Sequence, residues 1–329
     1  MSNRNDFTIG TMLKDNSYGY ERIYRRNDRI VGIYEEQATC EDKQDLIEIY
    51  TGICCIKTSL FLEVLHQFKD QHLKDNFITH ILSFADKIKI ETVKIEDSNL
   101  YRIPDLYSLS CVEEELRNKI NKRHMLNGVC IMNPFSTTIA KDVKIDEGTI
   151  IYPGCNIFGK TSIGKNCIIG PNTDLKNATL DDEVSCVYSV VNDSTISKNA
   201  YVGPFAHIRS NSVIGIGDRI GNFVEIKNST LGTRTDVAHL TYIGDTCCGD
   251  YVNWGCGCVT VNYDGQNKNK TIVGNHCFIG CNTNLIAPIV IGDHSFIAAG
   301  STIDTNVEAG DFAIARARQI NKKDYAKKY

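Results

Sequence analysis

The sequence predicts a parallel β-helix that follows a smaller α/β region, and two observations carry this prediction. An aliphatic residue recurs at every sixth position in three runs, from Ile139 to Leu175, from Val202 to Ile226 and from Val273 to Ile303. A period of six fits neither an amphipathic helix, with its period of about 3.6, nor a half-buried strand, which alternates. Before about residue 110 this period is absent, and patterns typical of short strands and helices take its place.

The repeat fits a coil of three short strands, each pointing one aliphatic side chain into a triangular interior. Three hexads, about 18 residues, complete one coil, so 133–312 would form roughly ten stacked coils. Glycine follows several of the aliphatics, as in Ile163-Gly164, where turns need unusual backbone angles. The six-residue period becomes irregular near 176–200 and 227–238. The polar stretch YDGQNKNKT at 263–271 interrupts it, which predicts a projecting loop, either a solvated insertion or a functional lid.

The first third of the chain has the pattern of a small α/β domain. Short strands are predicted for GYERIYR, IVGIYEE and IYTGICCIK, and helices for 58–70, 75–86 and 109–126. The last helix runs into the predicted β-helix. We therefore divide the chain into an α/β region at 1–112, a linking helix at 113–132, a β-helix at 133–312 and a basic tail at 313–329.

The composition excludes several classes of partner. Of the 329 residues, 42% are hydrophobic and 23% charged, with a formal net charge of -4. A nucleic-acid-binding domain would be strongly basic. No run approaches the roughly 18 apolar residues of a membrane helix, and the N-terminal MSNRNDFTIG lacks the apolar core of a signal peptide. We expect a cytoplasmic protein with no nucleic-acid partner and no integral membrane segment.

The chain contains 14 cysteines without any CxxC pair or zinc-ribbon spacing. In a cytoplasm we expect these thiols to be reduced, and a reduced buried cysteine acts as a small hydrophobic residue. Several lie at or beside core positions of the predicted β-helix, namely Cys155, Cys167, Cys186, Cys248 and Cys277.

From about residue 201 onward, the sequence resembles the acetyltransferase domain of one family. The segments GPFAHIR, IGNFVEIKNSTLG, VAHLTYIGD, VNYDG, NKNKTIVG, AAGSTI and AIARARQ are similar, in order and spacing, to glucosamine-1-phosphate N-acetyltransferase. GYERI, VGIYEE and INKRHMLNGV resemble, more loosely, the uridyltransferase domain and linking helix of the bacterial bifunctional enzyme that carries this domain. The resemblance implies a left-handed parallel β-helix of hexapeptide repeats behind a nucleotidyltransferase-like α/β domain. It also implies a role in UDP-N-acetylglucosamine and cell-wall synthesis.

The α/β region departs from the family's uridyltransferase domain. A Gly-rich loop opens that domain and holds the triphosphate of UTP through backbone amides, and no such loop occurs here. Gly19 and Glu35 match sugar-nucleotide contacts, but Tyr50 stands where asparagine is usual. Pro104, which offers no side-chain ligand to Mg²⁺, stands where the family has a metal-binding asparagine. We expect a truncated uridyltransferase-like region without uridyltransferase activity of its own.

Acetyl transfer from a thioester to an amine needs a neutral amine, a polarised carbonyl group and close approach of the two. An imidazole suits removal of the amine proton because its unperturbed pKa lies near the working pH. His239, in VAHLTYIGD, matches the family's catalytic base, and Asn262 matches the residue that steers the acetyl group and the amine. The other seven histidines are expected to be structural or exposed.

Recognition of a sugar phosphate calls for cations, and arginine suits phosphate because its planar fork binds two oxygens. Arg209 and Lys227 match the family's acceptor-site residues. Tyr242 matches a tyrosine of the sugar pocket, and Asn253 matches an asparagine that contacts the acceptor. The resemblance therefore implies glucosamine 1-phosphate as the acceptor.

The resemblance also implies acetyl-CoA as co-substrate, with no metal needed for acetyl transfer. Tyr263 and Lys268, in the 263–271 break, are expected to close over the bound substrates. Ala299 and Arg316 match contacts to CoA, whereas Cys281 stands where the family usually has serine, a change that weakens any hydrogen bond there. Because these contacts come from different subunits in the family, the resemblance implies a homotrimer.

Other interpretations stay open from the sequence. The chain could be a non-catalytic trimeric scaffold for a separate uridyltransferase, although a scaffold has no need of His239, Arg209, Lys227 and Asn262. It could also be an acetyltransferase for another amino sugar, which the intact phosphate-binding residues disfavour. A shortened gene product is a further interpretation that sequence does not separate from a genuine short enzyme.

Overall fold

The computed structural model describes residues 5–14, 20–35, 47–69, 77–82, 88–96, 101, 103 and 105–328. The chain divides into two compact units, Met1–Glu113 and Glu114–Tyr329. Each unit has its own hydrophobic core, and each is described by itself.

The first unit contains a five-stranded mixed sheet with two helices. The strand order is β3-β2-β4-β1-β5, with β1 antiparallel to β4 and parallel to β5. The elements are β1 (Phe7–Lys14), β2 (Glu21–Arg26), β3 (Arg29–Glu35), β4 (Ile47–Ile56), α1 (Thr58–Lys69), α2 (Phe77–Leu82) and β5 (Ile90–Lys94). The predicted strands and helices are confirmed, but sequence analysis missed β1 and β5. Burial is nearly continuous along the first part of β1, so the alternation that signals a half-buried strand is lacking there.

A long helix, α3 (Leu106–Leu126), leads into the second unit. The buried side chain of Asn121 donates hydrogen bonds to the carbonyl oxygens of Pro134 (2.9 Å) and Thr137 (3.0 Å). These bonds attach the last part of the helix to the first coil. The helix ends just before Gly128, whose φ of 86° is the left-handed conformation that commonly stops a helix.

The second unit is a parallel β-helix with three faces of short strands. Faces 1 and 3 are continuous ladders, and face 2 consists of a five-stranded and a three-stranded ladder joined by isolated bridges at Thr230. Face 1 consists of β7 (Thr138–Ile139), β10 (Asn156–Phe158), β13 (Asp174–Lys176), β16 (Val190–Asn192), β19 (His207–Arg209), β22 (Glu225–Lys227), β24 (Tyr242–Gly244), β27 (Val259–Val261), β30 (Asn284–Ile286) and β33 (Thr302–Ile303). Face 2 consists of β8 (Lys144–Ile145), β11 (Ser162–Ile163), β14 (Thr179–Leu180), β17 (Thr195–Ile196), β20 (Val213–Ile214), β25 (Thr246–Cys248), β28 (Thr271–Val273) and β31 (Ile289–Ile291). Face 3 consists of β6 (Cys130–Ile131), β9 (Ile150–Ile151), β12 (Ile168–Ile169), β15 (Ser185–Cys186), β18 (Tyr201–Val202), β21 (Arg219–Asn222), β23 (Asp236–His239), β26 (Asn253–Trp254), β29 (Phe278–Ile279), β32 (Phe296–Ile297) and β34 (Phe312–Ala313). The predicted β-helix is confirmed.

The hexad aliphatics form the interior of this β-helix. On face 1, for example, Ile208 pairs with Ile226, and both side chains are fully buried. Burying one such side chain stabilises a fold by about 1.5–3 kcal/mol. The five cysteines predicted at or beside core positions are also buried. Burial raises the pKa of Cys186 and of Cys248 to about 12, so these thiols stay protonated and act as packing groups.

Changes in coil length explain the irregular rhythm of the sequence. Leu175 pairs with Val191 and Ile226 pairs with Ile243, so both of these coils are slightly shorter than three full hexads. These two short coils lie where the six-residue period of the sequence is irregular, near 176–200 and 227–238. In the opposite direction, Thr260 pairs with Leu285, so this coil is longer than three hexads. The additional residues form the projecting loop predicted at 263–271.

Candidate functional site

One corner of the β-helix brings His239 and Tyr242 to neighbouring faces. His239 ends β23 on face 3, and Tyr242 begins β24 on face 1. Between them, Leu240 adopts a φ of 47°, and the Thr241 hydroxyl donates to the carbonyl oxygen of His239 at 2.7 Å. The turn explains why the motif VAHLTYIGD holds two candidate residues so close together in sequence.

The two candidate phosphate-binding cations occupy adjacent rungs of face 1. Arg209 ends β19, Lys227 ends β22, and the two residues are partners in the strand register. The Nε and a terminal nitrogen of Arg209 donate to Oε1 of Glu225, at 2.8 and 2.6 Å. The side chains of Arg209 and Lys227 are 35% and 22% exposed, so both cations remain accessible. The predicted pair is thus brought together by the register.

A nearly buried carboxylate, Asp245, lies beside this pair. Its Oδ2 is 3.5 Å from Nζ of Lys227 and accepts a short hydrogen bond from Nδ2 of Asn262. Its Oδ1 accepts from Nδ2 of Asn228 at 2.5 Å. Burial opposes ionisation, but the two amide hydrogen bonds and the charge of Lys227 outweigh it and lower the pKa of Asp245. The carboxylate is therefore ionised and connects Lys227 with Asn262.

Tyr242 and Asn262 meet over a glycine. Nδ2 of Asn262 is 3.5 Å from the Tyr242 hydroxyl. A Cβ atom at Gly244 would collide with that hydroxyl oxygen and would lie 2.7 Å from Nδ2 of Asn262, far below van der Waals contact. Only glycine therefore leaves room for the pair. Arg209, Lys227, Tyr242 and Asn262 form one group on face 1.

His239 has its own partner on face 3. Nδ1 of His239 lies 2.7 Å from Oδ1 of Asn222, which is its register partner on the preceding coil. Asn253 begins β26 on the same face and pairs with Asp236, the first residue of the strand that His239 ends. Among the described residues, no side-chain hydrogen bond links Asn253 or His239 to the group on face 1.

The projecting loop is held by its own contacts. Tyr263 and Lys268 form an antiparallel bridge, and Nζ of Lys268 lies 4.3 Å from the centre of the Tyr263 ring. Asp264 accepts hydrogen bonds from the backbone amides of Asn267 and Gln266, which lower its pKa to about 2. The backbone N–H of Asn269 donates to the carbonyl oxygen of Asn262 at 2.7 Å. This bond closes the base of the loop, which begins directly after the candidate site residue Asn262.

Cys281, Ala299 and Arg316 gather on the later coils. The backbone N–H of Gly300 donates to the carbonyl oxygen of Cys281 at 2.8 Å, which places Ala299 and Gly300 over Cys281. A Cβ atom at Gly300 would lie 3.9 Å from Cδ of Arg316. The side chain of Cys281 is exposed. Three of the five positions predicted to contact acetyl-CoA are thus close together within one chain.

The sequence also singled out four residues of the α/β region, Gly19, Glu35, Tyr50 and Pro104. Tyr50 is buried in the core of the first unit, where burial raises the pKa of its hydroxyl. Gly19 and Pro104 lie outside the described residues, and Glu35 ends β3 without a described side chain. Tyr50 is therefore a packing residue in this structure.

Sequence reasoning missed three polar residues that contact the candidate site: Asn222, Glu225 and Asp245. Each lies one coil away from its partner, so the two are neighbours in space and distant in sequence. Glu225 lies two positions before Lys227, so the alternation predicts that both side chains point outward from β22, but it does not predict the contact of Glu225 with Arg209. Asn222 and Asp245 carried no local signal, because exact coil lengths decide which residues stack.

Two parts of the β-helix match known protein families, and these matches indicate the class of protein. Residues 139–219 match the GMPPB C-terminal domain, and residues 270–305 match the bacterial transferase hexapeptide, six repeats. Together with the stacked hexads, these matches define a hexapeptide-repeat transferase.

Curated relatives identify the family. The bifunctional protein GlmU of Acholeplasma laidlawii is 44% identical over 99% of this chain and 72% of its own length. The corresponding proteins of Clostridium novyi and of Exiguobacterium sp. are 42% and 41% identical, over 98% of this chain and 71–72% of their own lengths. The chain belongs to the GlmU family.

No helix among the described residues is long and apolar enough to cross a membrane. In the same part of the chain, no three His, Cys, Asp or Glu side chains come together in a way that could hold a metal ion.

Proposed function

We propose that the chain transfers acetyl from acetyl-CoA to the amine of glucosamine 1-phosphate and releases N-acetylglucosamine 1-phosphate. The observation that carries this proposal is the group on face 1, where Arg209 and Lys227 stand beside Tyr242 and Asn262, one corner from His239. Two cations next to an amide and an imidazole suit a substrate that carries both a phosphate and an amine.

The cations would bind the phosphate of the acceptor. Arg209 uses its Nε and one terminal nitrogen on Glu225 and keeps further N–H groups for a ligand. Lys227 is loosely paired with Asp245 at 3.5 Å, which leaves its ammonium group donors for phosphate oxygens. A doubly charged phosphate attracts both side chains more strongly than a single carboxylate does.

His239 would act as the general base. Oδ1 of Asn222 can only accept a hydrogen bond, so Nδ1 of His239 carries the proton and Nε2 keeps its lone pair. As the amine nitrogen attacks the thioester carbon, the N–C bond forms and His239 takes the amine proton. The C–S bond then breaks, and the proton on His239 can pass to the departing CoA sulfur.

Acetyl-CoA would lie along the later coils, in contact with Cys281, Ala299 and Arg316, with Tyr263 and Lys268 on the projecting loop. Arg316 and Lys268 supply positive charge for the phosphates of CoA. We further propose a homotrimer, in which Asn253 and the CoA-binding residues complete the site of an adjacent copy. The family resemblance of these positions supports this arrangement.

We propose a cytoplasmic role in UDP-N-acetylglucosamine and cell-wall synthesis, with acetyl transfer and without uridylyl transfer by this chain. The family membership supports the pathway. The buried Tyr50 supports the absence of uridylyl transfer, because a core side chain replaces the usual asparagine of the nucleotide-sugar site. No observation favours the scaffold interpretation, since the connected polar group on face 1 would serve no purpose in it.

The acceptor assignment is tested by comparing glucosamine 1-phosphate with glucosamine, measuring thiol release from acetyl-CoA. We expect the wild type to prefer the phosphorylated sugar by at least about 10²-fold in kcat/KM, and Arg209→Ala to lose most of this preference. Lys160→Ala, a change on an exposed surface lysine of the early coils, is the control. Equal use of both sugars by the wild type would contradict the assignment.

A further inference from the structure

Asp245 connects more candidate site residues than any of the groups predicted from the sequence. Its side chain is only 8% exposed, and its two oxygens contact Lys227, Asn228 and Asn262. Asp245 adopts a φ of 51°, a left-handed conformation that aspartate tolerates. The backbone fixes this position as well, because its N–H donates to the carbonyl oxygen of Lys227 at 3.0 Å.

The contact with Asp245 determines which way the Asn262 amide faces. An ionised carboxylate only accepts hydrogen bonds, so the amide nitrogen of Asn262 must point to it. The second hydrogen on that nitrogen points to the Tyr242 hydroxyl, 3.5 Å away. With both donors engaged, Asn262 presents only its Oδ1 to a ligand.

We propose that Asp245 is a positioning residue that orients Asn262, so that Oδ1 of Asn262 accepts a hydrogen bond from the amine of the acceptor. The inference rests on the proposed acetyl transfer and assigns Asn262 to the amine and away from the thioester oxygen. One N–H of the neutral amine is then held by Asn262, which directs the nitrogen lone pair to the thioester carbon. Asp245 itself contacts no reacting atom.

Gly244 provides an independent argument for this arrangement. A Cβ atom there would collide with the Tyr242 hydroxyl and with Nδ2 of Asn262, but with no backbone atom among its nearest neighbours. Gly244→Ala therefore displaces the ends of two side chains while leaving the coil intact. It alters the amide orientation without changing any charge.

The chain offers a matched control for Asp245. Asp193 has a φ of 48°, donates its N–H to the carbonyl oxygen of Lys176 at 2.9 Å, and accepts from Nδ2 of Asn177 at 2.9 Å. It repeats the backbone and Asn contacts of Asp245 at the same kind of corner, but it contacts none of the candidate site residues. Asparagine keeps one acceptor oxygen, so Asp193→Asn can keep its single bond from Asn177, whereas Asp245→Asn leaves one oxygen for the two amides of Asn228 and Asn262.

The experiment measures kcat for thiol release with saturating acetyl-CoA and glucosamine 1-phosphate. We expect Asp245→Asn, Asn262→Ala and Gly244→Ala each to lower kcat by about 10- to 100-fold, and Asp193→Asn to stay within about twofold of the wild type. Because Asp245 acts through Asn262, the double variant Asp245→Asn/Asn262→Ala should be no slower than the slower single variant.

The inference would be overturned if the kcat losses of the two single variants multiplied in the double variant. A kcat for Asp245→Asn close to that of the wild type would also overturn it. Should Asp245→Asn fail to fold, Gly244→Ala decides the matter, since unchanged kcat in that variant would also overturn it. A wild type that releases no thiol with any amino sugar would instead overturn the proposed function, and this inference with it.

Discussion

His239 and Asn222 face each other across one rung of face 3, with Nδ1 and Oδ1 2.7 Å apart. In proteins that use an imidazole as a base, the partner of one ring nitrogen decides which nitrogen is free to accept a proton. Asn222 thereby does for His239 what Asp245 does for Asn262. At the scale of residues, the proposed chemistry depends on neighbours that fix orientation as much as on the reactive groups.

The role of Asn222 leads to a prediction with two variants. Asn222→Ala removes the acceptor for Nδ1–H, so kcat should fall by about tenfold or more while the KM for acetyl-CoA stays unchanged. Asn222→Asp keeps an acceptor and adds a negative charge that stabilises the imidazolium, so it should retain activity and move the acid limb of the kcat profile to higher pH. Kinetics from about pH 5 to 9 measure both effects. Identical pH profiles for the Asp variant and the wild type would contradict the role.

A buried acid outside the site, Asp218, should make stability depend on pH. Burial raises its pKa to about 7, against the opposing effect of hydrogen bonds from the backbone amides of Thr235 and Gly215. An unfolded aspartate has a pKa of about 3.9, so the folded state holds the proton more tightly. This contribution to stability is fully present below about pH 4 and is lost as the pH rises to about 7.

Asp218→Asn, which does not titrate, should remove this dependence. Between about pH 5 and pH 8 the wild type should lose on the order of 2–3 kcal/mol of stability relative to the variant, because each unit of pKa shift is worth about 1.4 kcal/mol. Urea unfolding of both proteins at the two pH values measures the difference, and effects of other groups cancel in the comparison. Parallel changes in the two proteins would show that Asp218 is ionised throughout.

The candidate residues on face 1 could be predicted from the sequence because they lie in motifs that resemble a known family. Their partners could not, since Asp245 is one of 40 acidic residues and its contacts join successive coils, which lie far apart in sequence. A small change in the length of one coil shifts every stacking partner, and only the structure gives the coil length.

At the scale of elements, the hexad period determines which side of each short strand faces the core. On β12, Ile168 points outward and is 42% exposed, whereas Ile169 is fully buried. Two residues of the same type, adjacent in one strand, therefore differ only in direction. The period predicted this difference, because the sixfold run passes through Ile169 and leaves Ile168 outside it.

These neighbours give a matched test of the core. Ile169→Ala should destabilise the β-helix by about 2–5 kcal/mol, because it removes buried surface and leaves a cavity. Ile168→Ala, at an exposed position, should change stability by about 1 kcal/mol or less. Urea unfolding of the two variants beside the wild type measures the difference. Similar losses in both would contradict the inward and outward assignment.

From the sequence, the projecting loop could be either a solvated insertion or a functional lid. The loop begins directly after Asn262 and holds Lys268 against Tyr263, and from this position we infer a function at the site. We predict that Lys268→Ala raises the KM for acetyl-CoA by about tenfold, the effect of one lost charge-assisted contact, with little change in kcat. Lys270→Ala, on the same loop, serves as the control. An unchanged KM for the Lys268 variant would favour the solvated insertion.

At the scale of the whole molecule, a ladder of exposed rings follows one corner of the β-helix. Phe205 stacks on Phe223 with ring centres 5.4 Å apart, and the tilted ring of Tyr188 lies 5.7 Å from Phe205. All three have a positive φ, between 47° and 60°. A bulky residue in this conformation costs about 1 kcal/mol or more, and an exposed apolar patch commonly marks an interface. The ladder supports the proposed homotrimer, in which contacts with another copy would offset that cost.

The assembly can be tested at this ladder. Light scattering on the wild type should give three times the 36.7 kDa mass of the chain. Phe205→Asp places a charge in the middle of the stack and should yield monomers, because an interface does not bury an unpaired charge. Phe135→Asp changes an exposed ring outside the ladder and should remain trimeric. A wild type that is monomeric at micromolar concentration would contradict the assembly.

The central claim, acetyl transfer with His239 as base, is tested most directly by thiol release from acetyl-CoA in the presence of glucosamine 1-phosphate. The wild type and His239→Ala would be measured side by side, with matched circular dichroism to establish that both are folded. We predict turnover by the wild type and a loss of about 10²–10⁴-fold in kcat for the variant. Equal rates for the two proteins, or a folded wild type that releases no thiol, would contradict the claim.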